Sequence, residues 1–282
     1  MSTTTPPPAP AATPPASPEA PRPNRSAARV IAILVAALGV AAIVATVWSG
    51  ARPTLAAAAG RSETTTQTVG GVDALAVDIS AARMTIRFDD AAREATLDVR
   101  DVGGGSWTLD RDGDTLRVTA PRLPFGSWFG GGNGRAVLTL PTDLAGSDAD
   151  LELAGGSLRA DGEFGAVTLQ MGAGEATLAG SATSLSADVS AGRATLDLAD
   201  VTTADLQLSA GELRGALTGE TPQDVGVFVS AGSLDLTLPD DAYAVTSDVS
   251  AGGFDNGLRT DAAASATVRV EVSAGNAALR SR

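Results

Sequence analysis

Apolar and polar residues alternate in seven short segments, each with the pattern apolar-x-apolar-Ser-Ala-Gly-x-apolar or a close variant of it. The segments centre on Gly156, Gly174, Gly192, Gly211, Gly232, Gly252 and Gly275, so their spacings are 18, 18, 19, 21, 20 and 23 residues. Alternation at period two indicates half-buried strands. Strands that recur at this spacing predict stacked coils, because each coil needs its neighbours to bury its apolar face.

The apolar phase changes at each glycine. The residue three before the glycine is always apolar: Leu153, Met171, Val189, Leu208, Val229, Val249 and Val272. The residue one before it is always small: Gly155, Ala173, Ala191, Ala210, Ala231, Ala251 and Ala274. The residue two after it is apolar again: Leu158, Ala176, Ala194, Leu213, Leu234, Phe254 and Ala277. All three positions are expected to face inward. A one-residue slip of this kind requires a bulge or corner, which glycine allows because it adopts positive φ.

An eighth copy lies upstream, where Ala82 takes the place of the glycine. Its inward residues are Val77, Ile79, Ala81, Met84 and Ile86. The residues between Ala82 and Gly156 then form an insertion of short strands that we expect to be antiparallel: Ala95–Asp101, Ser106–Asp110, Thr115–Thr119 and Ala136–Leu140. The dipeptide Asp112-Gly113 predicts a hairpin turn between the second and third of these.

The outward residues also form columns. Four before each glycine stand Glu152, Gln170, Asp188, Gln207, Phe228, Asp248 and Glu271. Stacked coils place such residues about 4.8 Å apart, so glutamine between acids limits repulsion. These columns are either solvated faces or a binding surface. The sequence does not tell whether the last coil, Ser273–Arg282, is capped by another chain; if it is open, its strand edge could pair with a partner.

The composition excludes several kinds of chemistry. The chain of 282 residues has no cysteine and no histidine, and all 20 basic residues are arginine. Thiol nucleophiles, disulfides and Schiff-base lysines are therefore impossible, and the commonest general base is missing. We expect a protein that is not an enzyme and that has no cofactor.

The N-terminal region predicts a membrane anchor. Residues 1–29 are rich in proline and predict a disordered cytoplasmic tail, and residues 30–51 form an uncharged apolar run long enough to span a bilayer as one helix. Arg22, Arg25 and Arg29 place the N-terminus in the cytoplasm. A cleaved signal peptide is the alternative, since Ala56–Ala59 offers small residues for cleavage. Residues 52–69 then form a linker and residues 70–282 an extracytoplasmic β-solenoid domain.

Charge is divided unevenly between these parts. The whole chain has a net charge of −13, and residues 51–282 hold 32 of its 33 acids. An acidic domain argues against nucleic acid as a partner. The expected partners are the cell membrane, through the anchor, and either a cell-wall polymer or an envelope protein.

Three features are candidate sites. Asp110-Arg111-Asp112-Gly113-Asp114 resembles a calcium loop, but the glycine precedes the third aspartate and the twelfth position is Pro121, so an acidic turn fits better. Carboxylate pairs for polysaccharide hydrolysis are the second candidate. The third is the aromatic group Phe125, Trp128 and Phe129 in a glycine-rich segment. It either plugs an end of the solenoid or is an exposed contact for a partner or membrane.

The sequence also resembles a known family. The run Val137–Leu144, the repeated Val-Ser-Ala-Gly and the segment Asp224–Leu238 are similar to the bacterial putative-adhesin family, a domain of unknown function common in actinobacteria. The resemblance covers roughly residues 70–280. It implies an all-β, right-handed β-helix at the cell surface and carries over no catalytic residue. Similar proteins are associated with envelope-stress systems, so regulation of a membrane sensor is an alternative to surface contact.

Overall fold

Strands follow the alternating segments closely. A computed structural model describes residues 62–100, 106–121 and 134–282, which hold twenty strands and a short 3₁₀ helix at Thr142–Leu144. The strands are β1 Glu63–Gln67, β2 Ala74–Ile79, β3 Ala82–Asp89, β4 Ala95–Arg100, β5 Thr108–Asp112, β6 Thr115–Thr119, β7 Arg135–Pro141, β8 Asp148–Leu153, β9 Gly156–Met171, β10 Glu175–Val189, β11 Arg193–Ala199, β12 Thr203–Leu208, β13 Glu212–Thr218, β14 Asp224–Val229, β15 Ser233–Leu238, β16 Ala242–Val249, β17 Gly253–Gly257, β18 Arg259–Thr260, β19 Ala266–Val272 and β20 Asn276–Ser281. The all-β prediction is confirmed for these residues. The predicted tail and membrane helix lie outside them.

The strands form two parallel ladders, one on each side of the glycine corner. The first ladder runs β6, β2, β8, the second half of β9, the second half of β10, β12, β14, β19 and β16. The second runs β7, β3, the first half of β9, the first half of β10, β11, β13, β15, β20 and β17. One strand from each ladder and the corner between them make a coil, named here by the residue at the glycine position.

In-register stacking builds the core. In the first ladder, the residues five before each corner position pair directly from coil to coil. Ser247 of the Gly252 coil is exposed, and the others are buried: Val77, Leu151, Leu169, Ala187, Leu206, Val227 and Val270. Val229 and its equivalents, three before the glycine, form a second buried column except at Val249. Alternation along each strand leaves the intervening residues outside, so two short strands per coil are enough to enclose an apolar interior.

The glycines themselves form a column. All seven repeat glycines have positive φ, from 101° to 145°. Each lies so close to the glycine position of the neighbouring coil that a Cβ atom would collide with backbone there. After five of these glycines, the next residue donates its N–H to a glycine carbonyl in the neighbouring coil, as Glu212 does to Gly192 at 2.9 Å. The predicted corners are therefore confirmed, and they are hydrogen-bonded to one another.

One detail of the predicted corner is wrong. The small residues just before the glycine are not inward: Ala173, Ala210 and Ala274 are exposed, and so is Ala81 in the upstream copy. The first strand ends three residues before the glycine, and the corner is made by the Ser-Ala pair and the glycine together. Stacked corners still approach closely, since a Cβ atom on Gly155 would lie 3.2 Å from the Ser80 carbonyl oxygen.

At the N-terminal end, the supposed insertion supplies a ninth coil. β6 pairs in parallel with β2, and β7 pairs in parallel with β3. Arg83 of β3 donates its N–H to the carbonyl of Gly134 at 3.0 Å. Gly134 thus takes the corner position, and its coil lies outside the Ala82 coil. The upstream copy with Ala82 is confirmed by its pairing with Gly156. The antiparallel prediction holds for β4 with β7 and for β5 with β6, whereas β6 and β7 are parallel to the repeat strands.

At the C-terminal end, the stacking order also departs from the sequence order. β14 pairs with β19, and β19 pairs with β16, so the Gly275 coil lies between the Gly232 and Gly252 coils. The second ladder has the same order, β15, β20 and β17. The strand of Ser273–Arg282, β20, is therefore paired on both sides, and this coil leaves no open edge. The exposed edge belongs to β17 and to the part of β16 after Tyr243, because β18 pairs with the first two residues of β16.

The Gly252 coil has the properties of an end. Val249, at a position that is buried in the other coils, is 39% exposed. Val245 and Phe254 are half-buried, while Tyr243 is fully buried and donates its hydroxyl to the Pro239 carbonyl at 2.9 Å. An end coil has a neighbour on one side only, so its inward side chains are covered less completely.

Candidate functional site

The outward side of the first ladder is acidic. Its residues four before the corner run, in stacking order, Asp78, Glu152, Gln170, Asp188, Gln207, Phe228, Glu271 and Asp248. Glutamine separates the acids in the middle, as predicted. Acids are neighbours at both ends, in the pairs Asp78–Glu152 and Glu271–Asp248. We call this surface the acidic face.

A second column of the acidic face contains two aspartates with perturbed ionisation. Loss of hydration raises the pKa of Asp150, and the positive charge of Arg117 partly offsets this. Loss of hydration also raises the pKa of Asp205; the neighbouring Asp224 adds to the rise, and a hydrogen bond from Gln207 opposes it. A carboxyl group that is partly withdrawn from water is less readily ionised than a fully hydrated one. A bound cation or a hydrogen-bond donor would stabilise the ionised form of either aspartate.

The outward side of the second ladder is mixed in charge over its middle coils. Glu175, Arg193 and Glu212 are direct neighbours in register. The Nε atom of Arg193 lies 2.9 Å from Oε2 of Glu212, Arg214 contacts the other oxygen, and the hydrogen bond from Arg193 lowers the pKa of Glu212. These exposed pairs contribute little to stability individually. They do make this middle region electrostatically balanced.

The N-terminal end carries an open cleft of about 870 Å³. Its walls come from the β1–β2 connection, the β3–β4 connection and the 3₁₀ helix, and its charged residues are Arg93, Glu94 and Asp143. The cleft therefore brings two carboxyl groups and one guanidinium to one depression. Sequence reasoning missed it, because its walls are connections rather than repeat strands.

The aromatic residues Phe125, Trp128 and Phe129 lie outside the described residues. On either side of the segment that holds them, Ala120 donates its N–H to the carbonyl of Asp78, and Gly134 is at the corner position.

The acidic segment Asp110–Asp114 is the predicted hairpin between β5 and β6. Gly113 has a φ of 65°, and Nε of Arg111 donates to its carbonyl at 2.8 Å. Across residues 62–100, 106–121 and 134–282, no three metal-ligating side chains come together in a way that could hold an ion. The calcium interpretation gains no support there.

No helix in the described part of the chain is long and apolar enough to cross a membrane.

The sequence matches no protein-family model and no curated protein. Two solved structures each align with 79% of this chain. A putative cell adhesion protein from Clostridium sporogenes is 8% identical in sequence over an alignment that covers 100% of that protein, with a TM-score of 0.37. A putative adhesin from Bacteroides fragilis is 12% identical over an alignment that covers 97% of that protein, with a TM-score of 0.36. These TM-scores are too low to establish a shared fold, so the architecture above rests on its own strand pairing.

Proposed function

We propose that this chain is a membrane-anchored β-solenoid whose outer faces make non-catalytic contacts at the cell envelope, in the manner of an adhesin. The predicted span at residues 30–51 would hold the solenoid outside the membrane. The contact would be with a cell-wall polymer or with another envelope protein.

The observation that carries this proposal is the order of the outward columns. The strands of each ladder pair in exact succession, so exposed side chains such as Gln170, Asp188 and Gln207 recur at the spacing of paired strands, about 4.8 Å. The glycine corners fix this register by hydrogen bonds from coil to coil. A rigid array of evenly spaced polar groups suits a repetitive partner, because the backbone that carries these groups loses little conformational freedom on binding.

The test is binding to the envelope itself. Residues 57–282 form one compact unit, so this fragment can be purified and incubated with isolated cell walls and whole cells, with calcium and with a chelator. Saturable binding is expected. A requirement for calcium would indicate that the acidic face is bridged to an anionic surface. Absence of saturable binding in both conditions contradicts the contact function.

Regulation of a membrane sensor is the alternative, and the proline-rich tail distinguishes the two. Deleting residues 1–24 removes most of the tail but leaves Arg25, Arg29 and the apolar run in place. A contact module should still bind cell walls after this deletion. A regulator that acts through its tail should lose its effect on envelope-stress signalling while wall binding is unchanged.

A further inference from the structure

Three arginines lie side by side at the N-terminal end of the second ladder. In register, Arg100 of β4 is opposite Arg135 of β7, and Arg135 is opposite Arg83 of β3. All three are exposed, and the adjacent residues Val99, Ala136 and Met84 are buried, which places the three arginines on the outer surface. We call this group the arginine row.

The row is short and dense. Paired strands are about 4.8 Å apart, so three cationic side chains begin within about 10 Å along the stack. The next residue in the same column is Ser157 of β9, a hydroxyl donor. Asp98 lies on the same side of β4, two residues from Arg100, and its Oδ1 accepts a hydrogen bond from Thr64 at 2.6 Å.

The row is the exception in its column. Farther along, Arg193 is flanked by Glu175 and Glu212 and forms an ion pair. Among the described residues, no ion pair involves Arg83, Arg100 or Arg135. Like charges directly opposite each other on paired strands are destabilising. The middle of the column therefore pairs its arginine with acids, whereas the three arginines at this end have no acid beside them in the column.

Guanidinium geometry distinguishes between possible anions. A carboxylate has two oxygens in one plane with its carbon, and a single arginine fork can bind both of them at once. A phosphate has oxygens in several directions, so neighbouring arginines can bind one group together and a third can reach the next. Three arginines and a serine in line therefore match a chain of phosphates better than isolated carboxylates.

We propose that the arginine row and Ser157 bind a linear phosphate-bearing polymer of the envelope. This inference rests on the proposed contact function and names its partner class. The net negative charge of the remaining surface restricts binding to this end, because the acidic face repels the same polymer.

The test measures binding of the full chain, purified in non-ionic detergent, to linear inorganic polyphosphate. Saturable binding that weakens as salt is raised is expected. The double variant Arg83→Gln/Arg135→Gln should bind at least about tenfold more weakly, since charge-assisted hydrogen bonds are lost. The matched control is Arg269→Gln, which removes one exposed arginine from the acidic face and should change affinity less than about twofold.

Several results would overturn the proposal. These are no polyphosphate binding by the unaltered chain, an equal loss in Arg269→Gln, or equal affinity for polygalacturonate, which carries carboxylates and no phosphate. A lower melting temperature for the double variant would show that the row stabilises the fold instead; an unchanged or higher one is expected from relieved repulsion. Wall binding that persists without polyphosphate binding would refute this partner while leaving the contact function standing.

Discussion

Replacing Gly211 by alanine would place a methyl group against the backbone of the neighbouring coil. Gly211 has a φ of 111°, and its Cβ position collides with the carbonyl of Gly192. That carbonyl cannot easily move, because it accepts the N–H of Glu212 at 2.9 Å. The substitution therefore combines an unfavourable backbone conformation with a contact that the stack cannot relieve.

The magnitude follows from these two costs. A positive φ costs an L-residue about 1–2 kcal/mol, and forcing a methyl group into a packed site costs about 1–3 kcal/mol. The sum is about 2–5 kcal/mol. For a domain of this size, 1 kcal/mol corresponds to about 2–4 °C in melting temperature, so Gly211→Ala should melt about 10 °C lower.

Gly146→Ala is the matched control. Gly146 also has a positive φ, 81°, but an added Cβ atom would meet nothing within 4 Å. Only the backbone cost applies there, and melting should fall by about 4 °C. Thermal unfolding of residues 57–282, followed by far-ultraviolet circular dichroism, compares both variants with the unaltered fragment. Equal shifts in the two variants would refute the close stacking of the glycine column.

The other predictions concern the core and the end coil. Val229→Asp buries an unpaired charge at a site that is 2% exposed, so it should unfold at least the adjoining coils. Ser230→Asp changes the next residue, which is exposed, and should be tolerated. Equal stability of the two variants would contradict the inward orientation of Val229. Burial raises the pKa of Tyr243 to about 12, and Asp241 and Asp240 add to the rise. Because the phenolate is disfavoured only in the folded state, stability should be fully present below about pH 10 and fall from there to about pH 12. Tyr243 is the only tyrosine, so its absorbance reports this titration directly, and a midpoint near 10 in the folded protein would show that its hydroxyl is not enclosed.

The repeat and its corners could be predicted because they depend on local chemistry. A strand that must change phase within three residues needs a residue at positive φ, and glycine at regular spacing marks each such point. The alanine before the glycine was misassigned for the same local reason. If the alternation of the strand is continued to Ala210, this small residue is assigned to the interior. The strand ends at Leu208, however, so Ala210 belongs to the corner.

The stacking order could not be read from spacing, since separations of 20 and 23 residues suit either order. A weaker signal was present. Ser247 is five residues before Gly252, where the other repeats carry Leu151, Leu169, Ala187, Leu206, Val227 and Val270. Asn256 is similarly polar, four residues after the glycine. Polar residues at inward positions indicate a coil covered on one side only, which is what the Gly252 coil is.

The arginine row depends on pairing between distant segments. Arg100 and Arg135 are brought together because β4 runs antiparallel to β7, and neither direction nor register is fixed by the residues near them. Each arginine does adjoin a buried apolar residue, and alternation along a strand places the neighbour of such a residue outward. Which outward residues become neighbours is determined only by the completed ladder.

The order of the coils at the C-terminal end is tested most directly by disulfide trapping. The chain has no cysteine, so introduced pairs report without background. Ser230 and Ser273 lie on adjacent coils, as the hydrogen bond from Ala274 N–H to the Ser230 carbonyl shows at 2.9 Å. Paired strands about 4.8 Å apart allow a disulfide, whereas Ser250 is one coil farther from Ser230, at about 9.6 Å, beyond disulfide range. Ser230→Cys/Ser273→Cys should therefore oxidise within the folded chain and Ser230→Cys/Ser250→Cys should not. The reverse result would show that the coils stack in sequence order.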